Sequence, residues 1–589
     1  MSADRDAASP GPYSRYWSWA RPYRRSYVSG LVWLIGTNIL ALGIPWLLRG
    51  AVHELTAGAN AARLASWAGG MIVLALLQAW ARTTSRLYIL GASRKIAFDV
   101  REAFFAKLLA ADAAYFDRQR TGDLMSRGIN DLQLMQAFYG PGLMNALNTA
   151  IVYIGVVGVM LSLDVPLTLV ALALFPLLYW GVNRQSKKVY ARSIAVQEQL
   201  AAISNRTQEN LSGIQQVKIY AQEDREIARF HELCHDFRRK QLSLARVRGG
   251  MISMIGVFTG IGTVLVLFVG GLHVIRGRIS LGDFVAFNAY LAQLAWPTVA
   301  LGWIVNVFQR ASGAMRRLDE VMTATPLVAP PLRDAATIEP IDGDVELRGL
   351  TFAYEGAADR PVLRDVRLTI PKGSRLALVG GVGSGKSTLA HLIAKIYQAP
   401  RGTLFVGGAD VSLLPVERVR AGVGLVPQEA FLFSRSLHDN VAWGCPRASD
   451  DVIDDAVRRA RLDTDLPALP DGLRTIVGER GYTLSGGQRQ RATLARALAS
   501  DRNILVLDDA LSSVDADTER AILDALARSR ALRTLILITH RLSTLRAVDR
   551  IVVLEGGRIV EDGTHDSLIE KQGVYARLFL KARMEERLA

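Results

Sequence analysis

Residues 380–387 read Gly380-Gly381-Val382-Gly383-Ser384-Gly385-Lys386-Ser387. Side chains this small let successive backbone N–H groups converge on one anion, and a helix starting directly afterwards points its positive end at the same place. The apolar run 376–379 reads as a strand, and the stretch from Thr388 to 396 reads as a helix. That strand–loop–helix setting makes the pattern a phosphate-binding loop. Lys386 adds a point charge for the outer phosphates, and the Ser387 hydroxyl can serve Mg2+.

Further along, Leu484-Ser485-Gly486-Gly487-Gln488 runs into the helix-like Arg489-Gln490-Arg491-Ala492. A Ser-Gly-Gly turn at a helix start is a second anion site, and one phosphate-loop domain rarely needs two. The apolar strand Ile504-Leu505-Val506-Leu507 ends in Asp508. A parallel strand that delivers an acid at its C-terminal end is where Mg2+ is held beside a phosphate loop. His540 follows another apolar run, in Ile538-Thr539-His540-Arg541, where it could hydrogen-bond a terminal phosphate and an attacking water.

In this order the motifs resemble those of the ATP-binding cassette family, over nearly the whole chain and most closely its exporters. The resemblance implies ATP and Mg2+ as cofactors. It implies that residues 484–488 contact the γ-phosphate held by a different subunit. Tyr354, in Phe352-Ala353-Tyr354, is similar to the family's adenine-stacking aromatic; such stacking is worth about 1–3 kcal/mol by analogy with base–aromatic contacts. The competing reading is a core tyrosine. Gln428, in Val426-Pro427-Gln428, resembles the glutamine that joins the metal site to the transmembrane interface. Gly478-Glu479-Arg480-Gly481 resembles the stretch that meets the coupling helices. Ser512-Ser513-Val514-Asp515 resembles the loop that crosses the dimer interface. Asp509 departs from the pattern, because the family usually has glutamate directly after the metal-binding aspartate. The carboxylate then falls short by about 1.5 Å, one C–C bond, and a displacement of ~1 Å can cost about 10²-fold in rate. The departure resembles the weak half of heterodimeric exporters, in which this chain's own signature would complete the partner's strong site. A slow homodimer is the alternative.

The elements that must carry these residues differ sharply along the chain. Its 589 residues are too many for one domain, and half of them are hydrophobic. A span needs about 20 apolar residues to cross ~30 Å of hydrocarbon. Six stretches qualify: 27–49, 66–90, 142–162, 165–183, 251–272 and 281–308. The charged stretches 92–140 and 184–248 fall on the cytoplasmic side by the positive-inside bias, which puts both termini there and the chain in the cytoplasmic membrane. Arg276 and Arg278 in an outer loop run against that bias without overturning it. Arginine in such loops explains the net charge of +15 better than nucleic acid, for which no motif is present. Cys234 and Cys445 form no metal or disulfide pattern. Residues 1–26, with aromatics between arginines, read as a cytoplasmic interfacial helix rather than a cleavable signal.

Residues 27–310 then form a transmembrane domain, 311–340 a proline-bearing linker, and 341–589 an α/β nucleotide-binding domain. The second span's helix continues well past the bilayer, on the order of 70 Å in all. The resemblance places coupling helices around Tyr115 and Phe116 and around Lys218 and Tyr220, with Glu479 on the facing domain. Within the spans, Gln78, Arg82 and Arg86 share one helical face, and Asn145, Asn148, Asn288, Gln293, Asn306 and Gln309 are also intramembrane. They are either a substrate stripe or interhelical hydrogen bonds. The expected protein is a half-transporter exporting a small amphipathic or hydrophobic compound. Its partner is a second half, preferably a different one. A homodimeric lipid or drug flippase and an ATP-gated channel or receptor are the alternatives.

Overall fold

The computed structural model describes residues 12–58, 61–326, 328, 339–357, 359–478, 481–528, 534–539, 541–545 and 548–588. Two compact units are present: Met1–Phe105 with Met125–Met322, and Ala106–Leu124 with Thr323–Ala589.

The first unit is helical. After the short α1 (Pro12–Ala20) come α2 (Arg24–Thr56) and α3 (Ala61–Ala110). A short helix α4 (Ala113–Arg118), which belongs to the other unit, precedes α5 (Thr121–Leu163). Then follow α6 (Val165–Ser212), the short α7 (Ile214–Ile219), α8 (Glu223–Ile275) and α9 (Leu281–Thr323). Six of these are long and apolar enough to cross a membrane, and each expected span lies within one of them. Only 6–24% of their apolar windows is buried inside the protein. Surface this apolar, on helices that pair most of their own backbone groups, suits hydrocarbon rather than water.

The helices run on through Pro45, Pro176 and Pro297. Two π turns, Arg127–Asp131 and Phe138–Gly142, interrupt α5. The second contains Pro141, which cannot donate the backbone hydrogen bond an α-turn requires. The entry segment is tied to the bundle through tyrosines: Tyr23 donates to Asp99 (2.7 Å), Tyr27 to the Tyr139 carbonyl (2.9 Å), and the Tyr139 hydroxyl to the Tyr16 carbonyl. Between α5 and α6, Asp164 caps the next helix through the Leu167 N–H (2.7 Å) and takes a 3.0 Å contact from His273 Nδ1. One boundary differs from expectation. The α9 helix does not stop at residue 310 but continues to Thr323, burying Ala311, Ala314, Met315, Leu318 and Val321 on one side. That apolar periodicity carries the helix into the segment read as linker.

The second unit is built on two sheets. A four-stranded antiparallel sheet contains β1 (Val345–Phe352), β2 (Leu363–Ile370), β4 (Leu404–Val406) and β5 (Ala409–Asp410), in the order β2-β1-β4-β5. A six-stranded sheet contains β3 (Arg375–Gly380), β6 (Val423–Val426), β7 (Ile504–Asp508), β8 (Thr534–Ile538), β9 (Arg550–Glu555) and β10 (Arg558–Gly563). Its order is β10-β9-β3-β8-β7-β6. All neighbours are parallel except β10 with β9. Strands β7 and β8 are buried at every position, as unbroken aliphatic runs covered on both faces should be. Their parallel register aligns the C-terminal ends of β3, β6, β7 and β8 along one edge of the sheet.

Candidate nucleotide site

The phosphate loop leaves that edge at Gly380 and enters α10 (Lys386–Ile393). Two glycines are dictated by geometry. Gly380 has φ +157°, and a Cβ there would lie 2.1 Å from the Leu554 carbonyl oxygen. Gly385 has φ +101°, and a Cβ would lie 2.7 Å from Leu363 Cδ2. The tip is open: Gly381, Val382 and Gly383 are exposed, whereas Ser384, Gly385 and Lys386 are buried. The Lys386 ammonium donates to the carbonyls of Gly380 (2.9 Å) and Gly381 (2.8 Å) and to Ser384 Oγ (3.3 Å). Burial pushes its pKa down, and the nearby carboxylates of Asp508 and Asp509 pull it up. The cation is held in place by weak acceptors that a phosphate oxygen would outcompete.

Asp508 ends β7 at only 3% exposure, and Ser387 is half-buried in the first turn of α10. Gln428 is exposed just past β6, whose Val426 pairs with Leu507 of β7. These are oxygen donors from two strand ends and a helix start, which suit a hard cation. Among the described residues no group of three or more His, Cys, Asp or Glu could hold a metal. Mg2+ needs no such cage, because it takes one or two carboxylates and completes its shell with substrate phosphates and water. Asp509 is half-buried in the left-handed region, with φ +47°, and its N–H donates to the Ile538 carbonyl (2.9 Å). Aspartate tolerates this backbone better than glutamate does, because its short side chain can bond locally.

Tyr354 is also near the loop, though not as a free platform. Its hydroxyl bonds Thr388 Oγ1 (2.9 Å), and its ring meets Phe352 and Tyr397 edge-on at 5.2 and 5.1 Å. Both sequence readings of this residue, ligand contact and packed aromatic, retain a basis in that half-buried setting.

The signature turn begins α11 (Gly486–Ala499). Ser485 Oγ accepts from the Gln488 N–H (3.2 Å), and Gln488 Oε1 accepts from the Ser485 N–H (2.9 Å), a complete capping box. Leu484 is buried beneath it. A Cβ on Gly487 would come within 2.9 Å of the Ser513 carbonyl oxygen, so the turn lies directly against residues 512–515. Gln490 fixes that loop, donating to Ser512 Oγ (2.8 Å) and accepting from the Ser513 N–H (2.7 Å). Asp515 caps the following helix at the Thr518 N–H (2.9 Å), which holds its carboxyl below the usual range. Arg541 donates to the Val514 carbonyl and to Glu519, itself fully buried. Sequence reading missed Gln490, Arg541 and Glu519, because side-chain clamps between distant segments have no local periodicity. Among the described residues, no hydrogen bond or ion pair joins residues 484–488 to residues 380–388. His540 and Glu479 lie outside the described residues.

The two short helices between the long ones are unalike. Helix α4 is capped by Asp112 at the Tyr115 N–H (3.0 Å) and docks onto the nucleotide domain. Tyr397 donates to Asp117 (2.7 Å), Arg118 pairs with Glu355, and a cavity of about 670 Å³ remains between them. Burial and the Asp117 carboxylate push the Tyr397 phenol up. Phe116 stays 44% exposed. On α7, Ile219 and the following Tyr220 are 71% and 68% exposed, and Lys218 reaches only its neighbour Glu223 (2.9 Å).

Comparison with known proteins gives a consistent result. The family model for the ABC transporter transmembrane region matches residues 26–298, and that for the ABC transporter matches 363–512. The probable multidrug resistance ABC transporter ATP-binding/permease protein YheI of Bacillus subtilis is 31% identical over 577 residues, 96% of each chain. A multidrug efflux ATP-binding/permease protein of Mycobacterium bovis is 35% identical over 566 residues, 95% of this chain but 46% of its own length. A bacterial Atm1-family ABC exporter with ATP bound superposes with a TM-score of 0.75 at 26% identity, covering 95% of this chain and 98% of the other.

Proposed function

The chain belongs to the ABC transporter family, with transmembrane and ATP-binding domains homologous to those of multidrug-resistance-like exporters, and we propose that it is one half of an ATP-driven exporter of a small amphipathic or hydrophobic compound. Hydrolysis of ATP coupled to transport is the activity of this family's ATPase domain. In the proposed assembly, nucleotide sits on residues 380–388 of one subunit, with Tyr354 beside it and with Mg2+ on Ser387, Asp508 and Gln428. The signature turn 484–488 of the other subunit closes the site, and Ser513 and Asp515 line the seam. Closure favours an outward-open bundle, and hydrolysis followed by release restores the inward-open one, since each state differs in nucleotide affinity. Glu479, Tyr115, Phe116, Lys218 and Tyr220 transmit the change. The chain lies in the cytoplasmic membrane with both termini inside.

The observation that carries this reading is the separation of the two anion sites. Each is well built, and among the described residues no hydrogen bond or ion pair joins one to the other. A relative of about twice the length supports the need for two such units. The partner is a different half-transporter. Asp509, a short carboxylate on a left-handed backbone, makes this chain's own site the weak one. With a carboxylate rather than an amide it retains slow hydrolysis, in which Asp509 and His540 orient the water.

The test is ATP-dependent accumulation of a lipophilic dye in inverted vesicles carrying the chain alone or with a candidate partner. Accumulation should require both chains and collapse on removal of ATP. Full accumulation by the lone chain would refute the heterodimer, and dye movement only down its gradient would refute export.

A further inference from the structure

Within the transmembrane unit, α2, α3, α5 and α9 enclose a cavity of about 380 Å³. This falls in the range of small-molecule sites. Its polar lining divides into two kinds of group. Four of its amides, Asn38, Asn145, Asn148 and Gln293, are used by the bundle itself, and Gln78 stands beside the arginines on α3. Asn38 donates to the Leu34 carbonyl (2.8 Å) and to Asn148 Oδ1 (3.1 Å), Asn145 donates to the Pro141 carbonyl (2.8 Å), and Gln293 donates to the Ala41 carbonyl (3.1 Å). Ser85 is likewise taken, by the Gly30 carbonyl (2.9 Å). Of the polar span residues singled out in the sequence, Asn148 and Gln293 thus make interhelical hydrogen bonds, whereas Asn145 bonds within its own helix.

Arg82 and Arg86 are different. Both line the cavity one helical turn apart, and neither makes an ion pair or hydrogen bond among the described residues. The lining contains no aspartate or glutamate. A guanidinium in a spanning segment is costly and normally has a partner. Here two stand on one face of α3 with none from the bundle, opposite walls of Leu34, Ile44, Met144, Val152 and Trp296.

We propose that this cavity is a selectivity site for an anionic amphiphile: one carboxylate, sulfonate or phosphate bridged by Arg82 and Arg86, with the apolar body against the aliphatic and Trp296 wall. Residues at i and i+4 have Cβ atoms about 5–6 Å apart, so two guanidiniums can share one oxyanion. The inference names the substrate class of the export reading and rests on it. The ligand chemistry is shared by an anionic phospholipid and by a free amphiphilic anion.

The test uses the full chain, in whichever assembly purifies, reconstituted in phosphatidylcholine nanodiscs. Equilibrium binding of radiolabelled taurocholate is measured, with tetraphenylphosphonium as an apolar cation of opposite charge. Taurocholate should bind saturably and tetraphenylphosphonium should not displace it. The double variant Arg82→Gln, Arg86→Gln should weaken taurocholate binding at least about tenfold, since two charge-assisted bonds are lost. The double Arg→Lys variant keeps both charges but loses the planar forks, and should bind taurocholate more weakly than the parent yet more tightly than the double Gln variant, showing that charge is read. If the double Gln variant does not purify, each single Arg→Gln variant must weaken binding by itself. Phosphatidylglycerol in the discs should compete if the natural ligand is a lipid headgroup and should leave binding unchanged if it is a free anion. Equal affinity for tetraphenylphosphonium, or undiminished taurocholate binding in the Gln variants, overturns the proposal. Binding needs neither ATP nor transport. Failed vesicle accumulation with intact, arginine-dependent binding would therefore sink the export reading alone, and export of cations without taurocholate binding would sink this one alone.

Discussion

The phosphate loop and the signature turn are both glycine-rich, both open a helix, and both offer backbone N–H groups to an anion, yet they are finished differently. In the first, the key cation is curled onto its own loop, held by the Gly380 and Gly381 carbonyls, and the loop tip is bare. In the second, the capping box ties up the N–H groups of Ser485 and Gln488, and Ser513 backs the glycines between them. One is a pocket whose ligand replaces internal contacts. The other is a braced face that, among the described residues, makes no hydrogen bond or ion pair to the phosphate loop. The contrast fits a machine whose two anion sites are joined only when another subunit arrives.

The largest effect that could break this contrast is at Asp509. Asp509→Glu restores the missing methylene and should raise phosphate release from this chain's own site, by up to about 10²-fold if reach is the only defect. The left-handed backbone takes back part of that gain, about 1–2 kcal/mol. Asp509→Asn should lower steady-state turnover of the paired complex only modestly. If Asp509→Asn instead abolished brisk turnover by the lone chain, Asp509 would be the base of a homodimer. Next in size is Lys386→Ala, which removes the cation from the pocket. Affinity for a fluorescent ATP analogue at this site should fall roughly 10–100-fold, and unchanged affinity would mean that the loop does not hold phosphate. Ser485→Arg should abolish photolabelling of the partner by azido-ATP more than labelling of this chain; equal loss at both would erase the distinction between pocket and face. Ser485→Ala tests the capping box alone and should cost about 0.5–2 kcal/mol in thermal unfolding. The smallest effect is expected at Tyr397→Phe, which removes one hydrogen bond to Asp117 and should cost about 0.5–1.5 kcal/mol of α4 docking, seen as faster hydrogen exchange in residues 113–118.

Much of this was legible in the sequence because it rests on local rules. The phosphate loop, the aspartate at a strand end, and the six apolar stretches need only spacing and periodicity. The Ser485–Gln488 pair was readable as an S-x-x-Q capping box, although only the turn and not the cap was recognised. Pairings between distant segments were hidden: Gln490 with Ser512 and Ser513, Arg541 with Glu519, and Tyr397 with Asp117 each join positions whose proximity only the fold creates. The helix of α9 runs past residue 310 to Thr323 because its buried positions keep helical spacing there, a continuation that the hydropathy of the span alone does not mark. The polar span residues could not be sorted by type. Asn38 and Arg82 line the same cavity, and only their bonding distinguishes them.

The docking of α4 has a practical consequence for handling the protein. Residues 106–124 belong to the same compact unit as 323–589, although some two hundred residues separate the two segments in sequence. An ATPase fragment cut from the chain near residue 341 would lose Asp112, Asp117 and Arg118 and leave the groove of Phe352, Ile396 and Tyr397 uncovered. Such a fragment should stick to itself or to detergent through that groove, and its solubility would report on a missing helix rather than on a faulty nucleotide fold. A peptide spanning 106–124 added in trans, or fused through a flexible linker, is the natural cover for it.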